Sequence, residues 1–578
     1  MRTLHGGSTN GNARRLTQSE AVLLLFGAGF LALAWTHGLR LDDDSYSHFA
    51  VSVRTLADMD WRALVTDTWN KPLTTLVYGT AGLAGGLNLA RVASVALTLL
   101  AAVLLRRVLE RWLGWASGEH IWFVPAFFLL QIGLLPQVFL TMTEQLAAAL
   151  LAWALHAWVR ERPWSAFLIA GFMPWARIES LFVVAVLFLV MSGELLRAGG
   201  RRALARVASM NALGALPFLS WWTCGFILKG EIAWMSAPYA YLREPFWLHL
   251  VSTNAITGLC GALSPAQLLL VALGLTAWRS APRNALSLTM IMLPAAIHLL
   301  FSSLVVVYPR GSGYGGWAIA ALNARSYATV APLFCLLAGW GWQRLFGDAA
   351  AAGGDRRPAQ LWPAVALTAL LCLGFAAFQG SFAFFSPTVR LGQLVLGLLV
   401  LAGAAALAWS VSRYEPRRVA GIYACLAIAS APVMVPFFWY PLRWQDRRAE
   451  VQLAFLRELR LTTEQPPLVV QSMNGRLDFF SGGAKVPMPW SYPALVGRSA
   501  AAAPGGSWIV LDTDERGTPV GYSPEVVRSL QEAGAYTRMG SFVDERPRAA
   551  WQRAVDRLTP RNRGGGYIIF RKLTPPTL

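Results

Sequence analysis

Three consecutive carboxylates, Asp42, Asp43 and Asp44, follow directly on an apolar segment long enough to cross a bilayer. Crowded carboxylates raise one another's proton affinity or require a cation, so the triplet suits either proton uptake or a divalent ion, Mg or Mn. One Asp before a helix serves as an N-cap, and three exceed that need. Further along the same loop, "WNKPLTTL" places Lys71 beside Trp69 and before a proline, at the head of an apolar run. An ammonium at a lipid boundary either snorkels to water or holds a phosphate where the field is poorly screened. "LTMTEQLAAALL" puts Glu144 at the mouth of an otherwise apolar helix, and "WARIES" puts Arg177 and Glu179 inside an apolar block. A charge at such a position is costly unless it is paired or faces water, and Arg177 and Glu179 can neutralise each other. "VVVYPRGSGYGGWAIAALNARSYATVAPLF" carries Arg310, then Arg325 and Tyr327 at the opening of the next apolar span. The arginine guanidinium is a planar fork suited to phosphate.

The elements that must position these residues are mostly membrane helices. Of 578 residues, 55% are hydrophobic and 14% charged, with a mean hydropathy of +0.45. A soluble protein carries roughly a quarter charged residues. The net charge of +19 resides largely in arginines of short loops between apolar blocks. That placement is what topology requires, and it argues against nucleic acid as the partner. Apolar spans are predicted near 20–37, 90–105, 120–137, 142–158, 208–228, 264–278, 286–308, 326–346, 360–379, 391–411 and 418–438. The first has a basic flank and no small-residue cleavage site, so it reads as an uncleaved helix after a cytoplasmic tail, 1–19. An outer loop is predicted over 38–88. Within it Phe49, Val51, Val53 and Leu56 recur at helical spacing, which predicts a short helix lying on the membrane surface.

The block 164–193 has basic loops at both ends and "GFMPWARIES" in its middle. One straight helix there would be about 45 Å long and would reverse the sidedness of every later loop. A split at Pro174 into two short arms opening to the cytoplasm restores the basic-inside pattern. The count is then about 13 membrane segments, within a transmembrane domain 20–442, and the C-terminus lies outside. From Arg443 the texture changes. "PPLVVQS", "SWIVLDTD" and "GGYIIFRKL" read as strands and "SPEVVRSLQEAG" as a helix. Residues 443–578 are therefore predicted to form a small extracytoplasmic α/β domain on an α-helical polytopic membrane protein.

No P-loop, dinucleotide fingerprint, Ser-His-Asp arrangement or zinc spacing is present. The five cysteines lie in or beside apolar blocks without a CxxC pair and read as small buried hydrophobes. His48 stands in "SYSHF" with no second histidine near it.

"LDDDSYSHFAVSVRTLADMDWRALVTDTWNKPL" resembles the first outer loop of GT-C superfamily glycosyltransferases, in particular bacterial members similar to the lipid A aminoarabinose transferase and the protein O-mannosyltransferases. Asp42-Asp43, Tyr46, Ala50, Asp60-Trp61 and Lys71-Pro72-Leu73 fall in the order of that loop. Asp43 stands where the family has Glu, and one proline of K-P-P-L is missing. The likeness continues through "MTEQLAAALL", the block from Gly171 to Glu179, "ARSYATVAPLF" and, less specifically, "DFFSGGAKVPMPW". The resemblance implies a multi-pass enzyme of the bacterial cytoplasmic membrane, with its N-terminus inside. It implies transfer of a sugar, with inversion, from a polyprenyl-phosphate-sugar donor to a lipid, glycan or protein acceptor of the cell envelope on the outer face. It implies that Asp42 is the general base, with Asp43 the competing choice because the third Asp leaves the register open by one. Lys71 with Arg310 or Arg325 would then hold the donor phosphate, and a divalent cation at Asp42 and Asp43, or Lys71 itself, would offset the acidic cluster. Asp44, Tyr46, Glu144, Arg177, Glu179 and Tyr327 complete the candidate site.

Two other classes present charges between membrane helices. A lipid-linked-saccharide flippase would place its binding groups near the midplane on broken helices. An O-antigen ligase or polymerase would lean on Arg and His, with no need for paired Asp in the first loop.

Overall fold

The computed structural model describes residues 17–36, 43–67, 70–115, 120–131, 133–235, 262–277, 286–305 and 325–346 of a helical body, with short pieces at 258–260, 363–368 and 370–371 and single residues 402 and 423. It also describes strands at 470–471, 508–514, 536–543 and 564–572. Apart from residues 402 and 423, the predicted spans at 391–411 and 418–438 lie outside the described residues, as do most of 360–379 and the predicted helix in "SPEVVRSLQEAG".

The chain opens on α1 (Gln18–Thr36). Thr17 and Glu20 form a reciprocal cap, Thr17 N donating to Glu20 Oε2 at 3.1 Å and Glu20 N to Thr17 Oγ1 at 3.3 Å. The α2 helix (Asp43–Ala57) begins at the second residue of the acidic triplet. Short α3 (Trp61–Thr66) is capped by the Asp60 side chain. Pro72 then starts a long helical run: α4 (Pro72–Thr74), a π-turn over Thr75–Gly79, and α5 (Thr80–Leu113).

A helix thus starts at Pro72, inside the predicted loop 38–88, and is broken at Gly85 (φ −158°, ψ 23°) and Gly86 (φ 67°, ψ −160°), just before the predicted span near 90–105. Gly79, Gly82, Gly85 and Gly86 dilute the hydropathy of this first stretch, and two of them are required by packing. A Cβ on Gly79 would lie 2.7 Å from the Ser52 carbonyl oxygen, and one on Gly82 would lie 2.5 Å from Val53 Cγ2. The α2 helix is seated directly against this glycine face, with Phe49, Tyr78 and Ala90 forming a buried cluster. Its buried face is Ser45, His48, Phe49, Ser52 and Thr55, so it is largely polar, whereas Val51, Val53 and Leu56 are only half-buried.

After helical turns at Pro125–Leu129 and Leu135–Phe139 comes α6 (Thr143–Val159). It is followed by α7 (Pro163–Gly171), α8 (Met173–Ala176), α9 (Ser180–Gly199) and α10 (Leu204–Lys229). The predicted break at Pro174 falls three residues later. Pro174 sits in the first turn of α8, where its missing N–H costs nothing, and Arg177 leaves helical geometry at φ −151°, ψ 114°. The arms are unequal, which corrects the reading of two short ones: α7 has 9 residues and α9 has 20. At about 1.5 Å per residue the second is long enough to cross the hydrocarbon by itself.

The described body ends with α11 (Pro265–Thr276), opened by a Ser264–Gln267 capping box, then α12 (Leu288–Val305) and α13 (Ala331–Phe346). Among the described residues, Pro72–Leu113 and Ser180–Lys229 are long and apolar enough to cross a membrane, and Gln18–Ala32, Ala266–Thr276 and Leu288–Ser302 are shorter apolar helices. The core runs along α5, α6, α11 and α13 and includes Trp112, Leu151, Leu270 and Leu336.

The C-terminal strands β1 (Val470–Gln471), β2 (Trp508–Asp514), β3 (Tyr536–Val543) and β4 (Gly564–Lys572) form one sheet in the order β1-β2-β4-β3. The β1–β2 pair is parallel and the other two pairs are antiparallel. Three strands coincide with the β-branched runs of the sequence. The β3 strand was not anticipated; a register shift between Arg538 and Gly540 breaks its alternation.

Candidate active site

Four separate stretches of chain converge at one end of the helical body. The first turn of α2 is tied to the segment before α6: Ser45 Oγ lies 2.8 Å from Thr141 Oγ1, Thr141 N donates to Ser45 Oγ at 2.9 Å, and Thr141 Oγ1 donates to the Ser45 carbonyl at 2.7 Å. Tyr78 donates its hydroxyl to the Met142 carbonyl at 3.0 Å. These bonds bring the start of the acidic helix beside the segment that leads into Glu144. The start of α4 is fixed to the chain break after α8, because Thr74 Oγ1 donates to the Ala176 carbonyl at 3.2 Å. Next in sequence to that carbonyl is Arg177.

Glu144 is fully buried, and its carboxylate bridges two arginines remote in sequence. Arg177 Nη1 lies 2.5 Å from Glu144 Oε1 and Arg325 Nε lies 3.2 Å from the same oxygen. Thr143 Oγ1 donates to Oε2 at 3.2 Å. Arg177 Nε is also 3.5 Å from Glu179. Arg177 and Glu179 do neutralise each other, but the shorter bond of Arg177 goes to Glu144. An isolated carboxylate at this depth would be untenable, and two guanidinium partners remove that cost.

The arrangement is also a structural clamp between α6, the α8–α9 break and the turn before α13. Removing one partner of a buried ion pair typically costs about 3–5 kcal/mol. Glu144→Gln should therefore lower the thermal unfolding midpoint of the purified protein clearly; an unchanged midpoint would show that the bridge carries no weight.

Lys71 is buried, at 7% exposure, and lies within electrostatic reach of Glu179, Arg177, Asp67 and Glu144. Burial pushes its ammonium below the ordinary lysine range, and Glu179 opposes that shift. A cation held at such a cost gains by meeting an anion. The proline after Lys71 makes the loop-to-helix transition abrupt, and Thr75 N donates to the Lys71 carbonyl at 3.0 Å.

Of the residues singled out from the sequence, Lys71, Glu144, Arg177, Glu179 and Arg325 thus come together. Tyr327 is buried beside them in the turn that opens α13, edge-on to His298 at 6.1 Å. His298 holds this turn, its Nε2–H donating to the Ser326 carbonyl at 2.9 Å. Asp43, Asp44 and Tyr46 lie in the first turn of α2 by their backbone. Asp42 and Arg310 lie outside the described residues. Among the described residues no group of His, Cys, Asp and Glu is arranged to hold a metal ion. The side chains of Asp43 and Asp44 lie outside that description.

Sequence reasoning missed Ser45, Thr141 and Asn70, and noted His48 without assigning it a partner. The one available signal was the polar stripe Ser45, His48, Ser52, Thr55 at helical spacing, overlooked because the apolar stripe beside it fitted a membrane-surface helix.

The helical body shares its fold with solved structures of another membrane protein. Two solved structures are similar to the chain over nearly its whole length. One is ArnT from Cupriavidus metallidurans bound to undecaprenyl phosphate, at 15% identity and a TM-score of 0.55, covering 96% of this chain and 100% of that one. The other is the same protein in the apo state, at 14% identity and a TM-score of 0.53, covering 97% and 100%. No protein-family model and no curated protein matches the sequence.

Proposed function

We propose that this chain is a membrane glycosyltransferase that moves a sugar, with inversion, from a polyprenyl-phosphate donor to a hydroxyl of a lipid, glycan or protein acceptor of the cell envelope, on the outer face of the cytoplasmic membrane. The observation that carries the reading is the meeting of Lys71, Arg177 and Arg325 around buried Glu144, one hydrogen-bonded segment away from the acidic helix. The fold supports it, since a protein of the same fold holds undecaprenyl phosphate.

In this mechanism the base, Asp42 with Asp43 as the competing choice, takes the acceptor proton as the acceptor oxygen attacks the anomeric carbon. The bond from that carbon to the phosphate oxygen breaks, and the polyprenyl phosphate leaves with the bonding electrons. Lys71, with Arg325 or Arg310, meets the charge growing on the leaving phosphate; fixed cations in a dry site stabilise such charge best. Asp43 and Asp44 raise the proton affinity of Asp42, and Lys71 offsets their repulsion; a divalent cation, were one bound, would be held by Asp42 and Asp43 and would supply the same neutralising charge. Incubating the purified protein with a panel of polyprenyl-phosphate sugars tests the proposal. One of them should be consumed with release of free polyprenyl phosphate. Intact donor across the panel, with every acceptor class present, would overturn the reading.

A further inference from the structure

Asn70, the residue before Lys71, is bonded at every polar atom. Its side-chain Nδ2 lies 3.1 Å from the His48 carbonyl oxygen and 2.7 Å from Ser52 Oγ. Its Oδ1 lies 2.7 Å from His48 Nδ1. Its backbone N donates to Asp67 Oδ1 at 3.1 Å, and its carbonyl accepts from Thr75 Oγ1 at 3.3 Å. A backbone carbonyl can only accept, so the atom facing the His48 carbonyl is the amide nitrogen, and the amide orientation follows. Oδ1 likewise only accepts, so His48 Nδ1 carries the proton of their bond. Asn70, His48 and Ser52 are all at least nine-tenths buried. A buried amide satisfied on both ends is rigid, and water does not compete for its partners.

We propose that His48 is a positioning residue of this site: its Nδ1–H holds the Asn70 amide against α2 and thereby sets the direction in which Lys71 leaves the loop toward the lipid phosphate. The inference rests on the donor-phosphate reading above. Its support is geometric: His48 and Ser52 are one turn apart on α2 and grip Asn70 from the same side. Ser45, on that same face, anchors α2 to Thr141. The helix that begins with the acidic triplet and the lysine that follows Asn70 are thus one hydrogen-bonded unit. The electrostatic reach of the His48 imidazole to Glu144 agrees with this placement.

The test compares two neutral variants that mimic different imidazole nitrogens. In His48→Asn the side-chain NH2 can stand near the Nδ1 position, whereas in His48→Gln it reaches the Nε2 position. Binding of farnesyl phosphate to the full-length protein in nanodiscs is read by calorimetry, with Lys71→Ala as the reference background. His48→Gln should weaken binding by about tenfold, the worth of one buried hydrogen bond and the lost preorganisation. His48→Asn should stay close to wild type, and in Lys71→Ala neither change should weaken binding further. Should His48→Gln fold poorly, Asn70→Asp, which turns an oxygen toward the His48 carbonyl, takes its place with the same expected loss. Equal weakening by His48→Asn and His48→Gln, or a loss of the same size in the Lys71→Ala background, would overturn the positioning role. Wild-type binding that does not depend on Lys71 would overturn the phosphate reading itself, and the role of His48 with it.

Discussion

Asp42→Asn abolishes sugar transfer and leaves donor binding in place: this is the result expected of the acidic triplet. A neutral hydroxyl is a poor nucleophile, and a positioned base typically gives about 10²–10⁴-fold. Asn is nearly isosteric with Asp and cannot accept a proton, so the variant removes the chemistry with little change in packing. The α2 helix begins at Asp43, which puts Asp42 immediately before the helix and Asp43 within its first residue. Asp43 stands where a helix N-terminus favours an anion. Ser45, hydrogen-bonded to Thr141, holds that first turn beside the segment leading to Glu144. Transfer rates and donor affinity are measured together for Asp42→Asn and Asp43→Asn. Loss of transfer in Asp43→Asn alone would shift the base by one residue. Full activity in both would remove the acidic helix from the chemistry.

Lys71→Ala is expected to lower kcat/KM by roughly 10²-fold or more, a typical cost of deleting one electrostatic contact to a developing charge in a water-poor site. Three facts set this expectation. Lys71 is buried, its neighbours include three carboxylates and Arg177, and Pro72 and Asn70 leave its backbone little freedom. Arg325 shares the site but is committed to Glu144 at 3.2 Å, so its removal would confound loss of phosphate binding with loss of the clamp. Lys71 makes the cleaner test. The measurement is steady-state transfer with a matched thermal unfolding curve. An unchanged kcat/KM in a folded variant would take Lys71 out of the donor site.

Individual charges of the site could be read from the sequence because each stands in an apolar stretch that would reject it without a partner. Glu144, Arg177, Glu179 and Lys71 were found in this way. Apart from the Arg177–Glu179 pair, their partners could not be read: Glu144 is joined to Arg325, far along the chain, and no local spacing encodes that contact. The start of the helix at Pro72 was hidden because Gly79, Gly82, Gly85 and Gly86 lower the hydropathy of its first turns. Gly79 and Gly82 also serve packing, since α2 lies where their side chains would be. The apolar stripe of α2 showed only part of its buried face. Its apolar residues suggested a helix on the membrane surface, yet of them Phe49 alone is buried, and Ser45, His48 and Ser52 are buried with it because that face meets Thr141 and Asn70. A polar stripe is buried only when another segment supplies its partners, and those partners come from other parts of the chain.

Chemical transfer and simple translocation of a lipid-linked sugar are separated most directly in proteoliposomes. The purified chain is reconstituted with a polyprenyl-phosphate sugar labelled in the sugar, together with an acceptor carrying a free hydroxyl. The account predicts label on the acceptor, an equal amount of free polyprenyl phosphate, and loss of both in Lys71→Ala. Movement of intact donor between leaflets, with no label on the acceptor and no polyprenyl phosphate released, would contradict it.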